Sequence, residues 1–383
     1  MKFIINREEI LLPLQQIVSV IEKRQTMPIL SNVLLIIEDD QLILTGTDLE
    51  IQIIARISIQ AVSSGSITVP ARKFLDICRL LPNGAEIKFE LHEYVPGKDM
   101  GTESLSITGS SKVKITSSRS RFSLSCLPAD NYPEFSESEL ENHLFINSGK
   151  FKKAFDKTVF CMANQDVRYY LNGLLLHVSN SKLKLVASDG HRLSIYEDIL
   201  DQATGFDARI IIPRKGVLEL SRLLDDPEVE LKIEFSTNNI RVFIKNIIFS
   251  AKLVDSKYPD FSKVFQQEFF SPVHIQRQLL KEALTRVAIL SNEKFKGVSF
   301  DLDNESLKIS THNPDHDEAE EELITEYLGA PLSVAFNVQY LLDAVSNLDS
   351  ELAVLTIASN ASCCFLDEPI DSGYKFIVMS MRL

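Results

Sequence analysis

Ile211-Ile212-Pro213-Arg214-Lys215-Gly216-Val217-Leu218-Glu219-Leu220-Ser221-Arg222-Leu223-Leu224 decides the reading of this chain, because the stretch occurs three times. An earlier copy runs Thr68-Val69-Pro70-Ala71-Arg72-Lys73-Phe74-Leu75-Asp76-Ile77-Cys78-Arg79-Leu80-Leu81. A later, more diverged copy runs Ala335-Phe336-Asn337-Val338-Gln339-Tyr340-Leu341-Leu342-Asp343-Ala344-Val345-Ser346-Asn347-Leu348. Each reads as an apolar strand end, then a helix opening at Pro or Asn, then apolar residues at helical spacing. Pro suits the first helical turn, where its missing N–H costs nothing. The copies lie roughly 125–145 residues apart, a spacing that suits domains rather than a solenoid.

The repeat extends beyond that helix. Another amphipathic helix is predicted near the start of each third, from Ile10, Leu14, Ile17 and Ile21, from Phe151, Phe155, Val159 and Met162, and from Leu280, Leu284 and Val287. Two alternating strands follow each: Leu30–Leu35 and Leu42–Asp48, Leu171–Leu176 and Leu183–Asp189, Phe295–Phe300 and Leu307–Asn313. Asp39-Asp40, Ser179-Asn180 and Asp303-Asn304 stand between the paired strands as hairpin turns. Tyr132-Pro133-Glu134-Phe135 and Tyr258-Pro259-Asp260-Phe261 are non-helical and read as linkers between domains. Three domains are therefore expected, over residues 1–135, 136–261 and 262–383. Each is α+β, with helices on one face of mostly antiparallel sheets. Within each third the strand-helix-strands unit itself occurs twice, which hints at sixfold repetition. From His92 to Ser120 extra Gly, Ser, Thr and Lys predict a lengthened hairpin or a mobile loop.

With 45% apolar and 24% charged residues the composition is that of an ordinary globular protein. The N-terminus is charged within a few residues, unlike a signal peptide, and no apolar run approaches a membrane span; a cytoplasmic protein with no membrane partner is expected. The cysteines at 78, 126, 161, 363 and 364 form no CxxC pair, which argues against zinc and a disulfide framework and for small buried hydrophobes. A net charge of −13 taken alone argues against nucleic acid. The cations, however, recur on the repeated helices: Arg72, Lys73 and Arg79; Lys150, Lys152, Lys153 and Lys157; Arg214, Lys215 and Arg222; Arg277, Lys281 and Arg286. Such runs are commonly solvated helix faces. Repeated by pseudo-symmetry, they would form one common surface suited to phosphates without sequence readout. Tyr169 and Tyr170, beside Gln165 and Arg168, suit stacking on bases or sugars, or half-buried strand entry.

Catalytic readings are weak. Ser188, Asp189 and His191 suggest a hydrolase, but there is no Gly-x-Ser-x-Gly elbow, and Asp189-Gly190-His191 reads better as a turn. His312, Asp315, His316 and Asp317 suggest a metal, yet Glu318, Glu320, Glu321 and Glu322 continue them as an exposed acidic stretch. No Walker loop or GxGxxG supports a nucleotide. Neither an enzymatic activity nor a cofactor is expected.

Longer stretches carry a specific resemblance. Gln165-Asp166-Val167-Arg168-Tyr169-Tyr170-Leu171-Asn172-Gly173, Ser188-Asp189-Gly190-His191-Arg192-Leu193, Ile289-Leu290-Ser291-Asn292-Glu293-Lys294-Phe295, Met379-Ser380-Met381-Arg382-Leu383 and Leu44-Thr45-Gly46-Thr47-Asp48-Leu49-Glu50 resemble the bacterial DNA polymerase III beta subunit family, the sliding clamps. The likeness covers essentially the whole chain. It implies the DNA clamp fold: three similar α+β domains per chain, and a head-to-tail homodimer closed into a ring, with helices lining the hole and antiparallel sheets outside. It implies a non-catalytic processivity factor that encircles duplex DNA and tethers the replicative polymerase. A ring-shaped interaction scaffold without DNA loading is the alternative, separated by salt-dependent DNA retention. The implied partners are double-stranded DNA, a second copy of the chain, the DNA polymerase III alpha subunit, the clamp loader, and other polymerases and repair proteins acting through short peptides.

Carried over by position, DNA contacts fall on Arg24, Arg72, Gln165, Tyr169, Tyr170 and Lys215. The partner-peptide cleft falls on Leu171, Ser188, Gly190, His191, Arg192, Leu193, Pro259, Val264, Cys363, Ile377, Met379, Met381, Arg382 and Leu383. The dimer interface falls on Arg119, Arg121, Phe122 and Leu124 of one protomer and on Ile289, Leu290, Asp315, Asp317, Glu318 and Glu321 of the other. Two positions depart from the family. Ser380 stands where the tail usually carries Pro, implying a less rigid tail, and Lys263 stands where Arg is common, keeping charge but losing the planar fork.

Overall fold

Each copy of the repeated stretch folds as a strand running directly into a helix. The pairs are Gly65–Pro70 with Ala71–Leu80, Asp207–Pro213 with Arg214–Leu223, and Leu332–Asn337 with Val338–Ser346. The cause is local. In the first of these helices Ala71, Phe74, Leu75 and Cys78 share one buried side, while Arg72, Lys73, Asp76 and Arg79 are exposed. In the third copy Asn337 replaces Pro and caps the helix, its side chain accepting the N–H groups of Gln339 and Tyr340.

The structure, a computed structural model, describes residues 1–22, 27–92, 111–135 and 140–382. The first third holds β1 (Lys2–Asn6), α1 (Arg7–Val20), β2 (Asn32–Glu38), β3 (Gln41–Thr47), β4 (Ile51–Ser58), β5 (Gln60–Ser63), β6 (Gly65–Pro70), α2 (Ala71–Leu80), β7 (Glu86–His92), β8 (Lys112–Ser117) and β9 (Ser120–Ser125). The second holds β10 (Asn142–Asn147), α3 (Ser148–Asp156), β11 (Gly173–Ser179), β12 (Lys182–Ser188), β13 (Arg192–Ile199), β14 (Asp207–Pro213), α4 (Arg214–Leu223), β15 (Glu230–Phe235), β16 (Asn239–Ile244) and β17 (Ile247–Lys252). The third holds β18 (Val273–Gln276), α5 (Arg277–Ala288), β19 (Gly297–Asp303), β20 (Ser306–His312), β21 (Glu318–Ile324), β22 (Leu332–Asn337), α6 (Val338–Ser346), β23 (Leu352–Ile357), β24 (Cys363–Asp367) and β25 (Tyr374–Met379).

The sheets make the sixfold repetition explicit. One four-strand order recurs as β6-β2-β3-β4, β14-β11-β12-β13 and β22-β19-β20-β21; the other recurs as β1-β7-β8-β9, β10-β15-β16-β17 and β18-β23-β24-β25. The order is antiparallel throughout. Edge β4 pairs with edge β17, and edge β13 with edge β25, so each eight-stranded sheet draws on two thirds of the sequence. The remaining two sets are a five-stranded sheet, widened by β5 and ending on β9, and a four-stranded sheet ending on β21. By contacts the chain divides into two compact units, Met1–Ser148 with Glu219–Lys252, and Gly149–Leu218 with Leu253–Leu383. Among the described residues no helix is long and apolar enough to cross a membrane, and all five cysteines are buried and free.

Several local expectations are corrected. Strands predicted from Leu30 and Leu171 begin at Asn32 and Gly173, because Pro28–Ser31 and Tyr169–Asn172 are single turns of 3-10 helix. Gly173 is needed there: a Cβ would lie 2.7 Å from both Ile211 Cγ2 and the Ile212 carbonyl oxygen on the neighbouring strand. The stripe from Phe151 to Met162 is not one helix. α3 ends at Asp156, and Thr158, whose hydroxyl donates back to the Ala154 carbonyl at 2.7 Å, leaves helical geometry before a short turn at Val159–Cys161. The second and third hairpin turns are Asn180-Ser181 and Asn304-Glu305, one residue later than predicted. In the Tyr-Pro segments, read as linkers, Tyr132 and Tyr258 are both buried and Tyr132 donates to the Thr45 carbonyl. The predicted long hairpin or mobile loop falls mostly on residues 93–110, which lie outside the described residues; its end forms β8 and the start of β9.

Candidate functional site

The candidate cleft is built on β11, β12, β13, β24 and β25, all in one compact unit. Leu171, Leu193, Cys363 and Ile377 belong to one buried cluster with Leu175, Val186, Ile195, Ile211, Tyr258 and Phe365. Tyr170, Val254, Phe261 and Val264 pack against it and stay partly accessible. The segment after Tyr258 thus lies along the cluster as a wall, with Pro259 exposed. Ile195 and Phe261 also line an open groove of about 940 Å³ that reaches Leu183, Ile199 and Phe265.

The turn at residues 188–192 forms one rim. The Ser188 hydroxyl donates to the Arg192 carbonyl (2.7 Å) and accepts the Gly190 N–H (3.0 Å). Asp189 Oδ1 accepts the N–H groups of His191 (2.9 Å) and Arg192 (3.0 Å). Ser188 is thus a brace of the turn, and no bond among the described residues aligns it with His191 as a nucleophile. Gly190 has φ +88°, a backbone state that glycine adopts without strain. Arg168 donates to the Asp189 carbonyl and forks onto Asp166, whose carboxyl it holds down at about 2 through side-chain and backbone hydrogen bonds. Arg192 differs from its neighbours: its guanidinium is mostly buried and bonds Asp189 and Asp343 instead of facing the rim.

The tail closes the other side. Met379 N–H donates to the His191 carbonyl (2.8 Å), Ser380 N–H to the Ser362 carbonyl (3.0 Å), and Met381 N–H to the Ala335 carbonyl (2.8 Å). Ser380 supplies the middle bond, which proline could not donate. His191 and Arg382 are exposed, Met379 is at 37% exposure, and Leu383 lies outside the described residues.

The basic helices are more neutralised than expected. Lys157, expected on the basic face of this helix, lies just past the end of α3, and its side chain is only 8% exposed. Its Nζ donates to the Asn347 carbonyl (2.5 Å) and Asp349 (2.6 Å) and sits 4.4 Å from the centre of the Tyr374 ring. Burial alone would raise the Asp349 pKa, but the bond and charge of Lys157, with the charge of Lys153, bring it below the usual carboxylate range. Lys150 pairs with Asp201, Lys152 with Asp156, Arg222 with Glu219 and Arg286 with Glu321. Arg72 donates to the Ile21 carbonyl and Arg214 to that of Met162. Exposed ion pairs are worth about 0–1 kcal/mol, so a phosphate can exchange for such a carboxylate at little cost. Gln165 and Tyr169 are exposed, Tyr169 at 76%, whereas Tyr170 turns towards the cleft cluster. Arg24 lies outside the described residues.

Most of the candidate interface residues fall on or just before β9 and β21, the edge strands whose counterparts β17 and β25, β4 and β13 are paired within the chain. β9 carries Arg121, Phe122 and Leu124, with Arg119 in the turn before it. β21 opens with Glu318 and carries Glu320, Glu321 and Glu322, with Asp315 and Asp317 in the turn before it. Ile289, 76% exposed, and Leu290 follow α5. Sequence reasoning missed Lys112 and Lys114 on β8, which with His92, Arg121, Phe122 and Ser123 line a shallow basic pocket of about 360 Å³. The alternation Lys112-Val113-Lys114, apolar inward and basic outward, was the available signal.

Family models described as the N-terminal, central and C-terminal domains of the DNA polymerase III beta subunit match residues 1–136, 145–260 and 262–382. The chain is 41% identical over 384 residues to the beta sliding clamp of Pseudomonas putida and 40% identical over 384 residues to that of Escherichia coli K12, covering 100% of each chain in both cases. Among solved structures it is similar to the Pseudomonas aeruginosa sliding clamp bound to griselimycin, with 41% identity, 100% coverage of both chains and a TM-score of 0.91. The Caulobacter crescentus sliding clamp is similar at 31% identity, 100% coverage of both chains and a TM-score of 0.91.

Proposed function

The chain belongs to the DNA polymerase III beta subunit family, the beta sliding clamps, and from that premise we propose that two copies join head to tail into a ring that encircles duplex DNA. The protein is a non-catalytic processivity factor with the three-domain clamp fold. We place its domains at 1–135, 136–261 and 262–383, and its work in the cytoplasm.

One observation carries the ring: six equivalent edges, of which two pairs are joined within the chain and one pair is left open. The in-chain seams also supply a register. Ile248 and Lys375, each the second residue of its strand, pair with Ile54 and Ile195, each four residues before its strand's end. Arg121 and Glu320 hold those same two positions on β9 and β21. Transferred to the open pair, the register sets Arg121 of one protomer against Glu320 of the other, with Ile289 and Leu290 as the apolar anchor. A head-to-tail contact of this kind closes when the rotation closes, and does not grow into a filament.

DNA is held by Arg24, Arg72, Gln165, Tyr169 and Lys215 through contacts without sequence readout, so the ring slides, while Tyr170, assigned to DNA by position, packs against the cleft cluster. The polymerase alpha subunit, the clamp loader and repair proteins dock short peptides in the cleft around Leu171, Leu193, Val264, Ile377 and Met379. Arg192 serves that cleft from beneath. We assign to this cleft the binding of griselimycin, which the Pseudomonas aeruginosa relative binds. Retention tests the reading: once loaded, the protein stays on closed circular DNA and is lost from linear DNA, and equal loss from both overturns encirclement.

A further inference from the structure

We propose that Asp343, on α6 and outside every site assigned above, is a positioning residue for the partner cleft and acts through Arg192 on the rim turn. This rests on the cleft reading. Arg192 leaves the rim and points under it, its Nε 3.0 Å from Asp189 Oδ2 and its Nη1 2.5 Å from Asp343 Oδ2. The guanidinium lies 4.5 Å from the centre of the Tyr340 ring, one helical turn before Asp343, and 5.7 Å from that of Phe160. It is thus fixed in plane by aromatic faces and in direction by two carboxylates.

Asp189 divides its two oxygens between the ends of this relay. Oδ2 takes the guanidinium, and Oδ1 takes the N–H groups of His191 and Arg192. The carbonyl of His191 in turn accepts the Met379 N–H. A carboxylate on α6 therefore fixes a guanidinium, which fixes a second carboxylate, which fixes the backbone facing the peptide. With Asp343 removed, Arg192 keeps one anchor and Asp189 can rotate, loosening both amides. Gln339 holds Asp343 Oδ1 at 2.8 Å and is itself exposed. It can turn its amide to suit an asparagine at 343, so Asp343→Asn keeps an acceptor for Arg192.

The test uses the intact dimer, griselimycin as probe and the backbone amide resonances of His191 and Arg192. In Asp343→Ala both resonances shift and affinity falls about tenfold through faster dissociation, while dimer mass and retention on circular DNA are unchanged. In Asp343→Asn the resonances return towards wild type and affinity recovers to within about threefold. Should Asp343→Ala fail to fold, Arg192→Lys, which keeps the charge but cannot reach both carboxylates, is expected to shift the His191 amide in the same way. Unmoved His191 and Arg192 amides in the folded variant overturn the proposal, as does an equal loss in Asp343→Ala and Asp343→Asn. If wild type does not bind griselimycin at all, the cleft reading fails, and the amides still decide whether Asp343 positions the turn.

Discussion

The two seams joined within the chain and the one left open use equivalent strands in different chemistry. β4 against β17 sets Ile53 opposite Phe249 and Ile54 opposite Ile248; β13 against β25 sets Leu193 opposite Ile377. These apolar pairs are tethered covalently and never need to part. β9 and β21 instead present arginine and a run of glutamates. An edge that must wait in solution is safer charged, since charge blocks indiscriminate strand pairing. An ionic joint is also one that can reopen. On the proposed ring, the two joints between protomers are thus the charged ones, and the seams within each chain are apolar.

Three variants break or sharpen this contrast. Phe249→Ala, in a closed seam and fully buried, is expected to cost about 3–5 kcal/mol of stability in denaturant titrations while the native protein remains dimeric. Dissociation without lost stability would erase the distinction between seams. Ile289→Ala with Leu290→Ala, at the open seam, leaves unfolding of the chain nearly unchanged but raises the dimer dissociation constant by on the order of 100-fold. Sedimentation showing an intact dimer removes these residues from the joint. Arg121→Glu weakens the dimer about tenfold at low salt and less at high salt, and Glu320→Arg in the other protomer restores most of it. Rescue by a different glutamate would shift the transferred register.

The architecture was legible because amphipathic spacing and three aligned copies of one strand-helix stretch are local signals that survive divergence. Misplaced boundaries have local causes that periodicity cannot show. The turn of 3-10 helix at Tyr169–Asn172 and the back-bonding Thr158 are set by hydrogen bonds, not by apolar pattern. Charge was harder to read. Lys157 looked like its neighbours on the helix, and only the arrival of Asp349 from nearly 200 residues away buries it. Arg192 likewise sits inside a matched motif, yet its partner Asp343 lies on another third of the chain. Which strand edges join within the chain was not legible, because each partner strand lies in another third; the charge on β9 and β21 was the visible mark of the remaining pair.

That same assembly has a consequence during synthesis. β4 ends at Ser58, but β17, which covers it, begins only at Ile247. At about 5–20 residues per second the ribosome needs roughly 10–40 s to supply the covering strand. Throughout that interval β4, paired with β3 on one side, leaves its other edge unpaired, so a chaperone holding that edge early in translation should raise the yield of native protein more than one added after release.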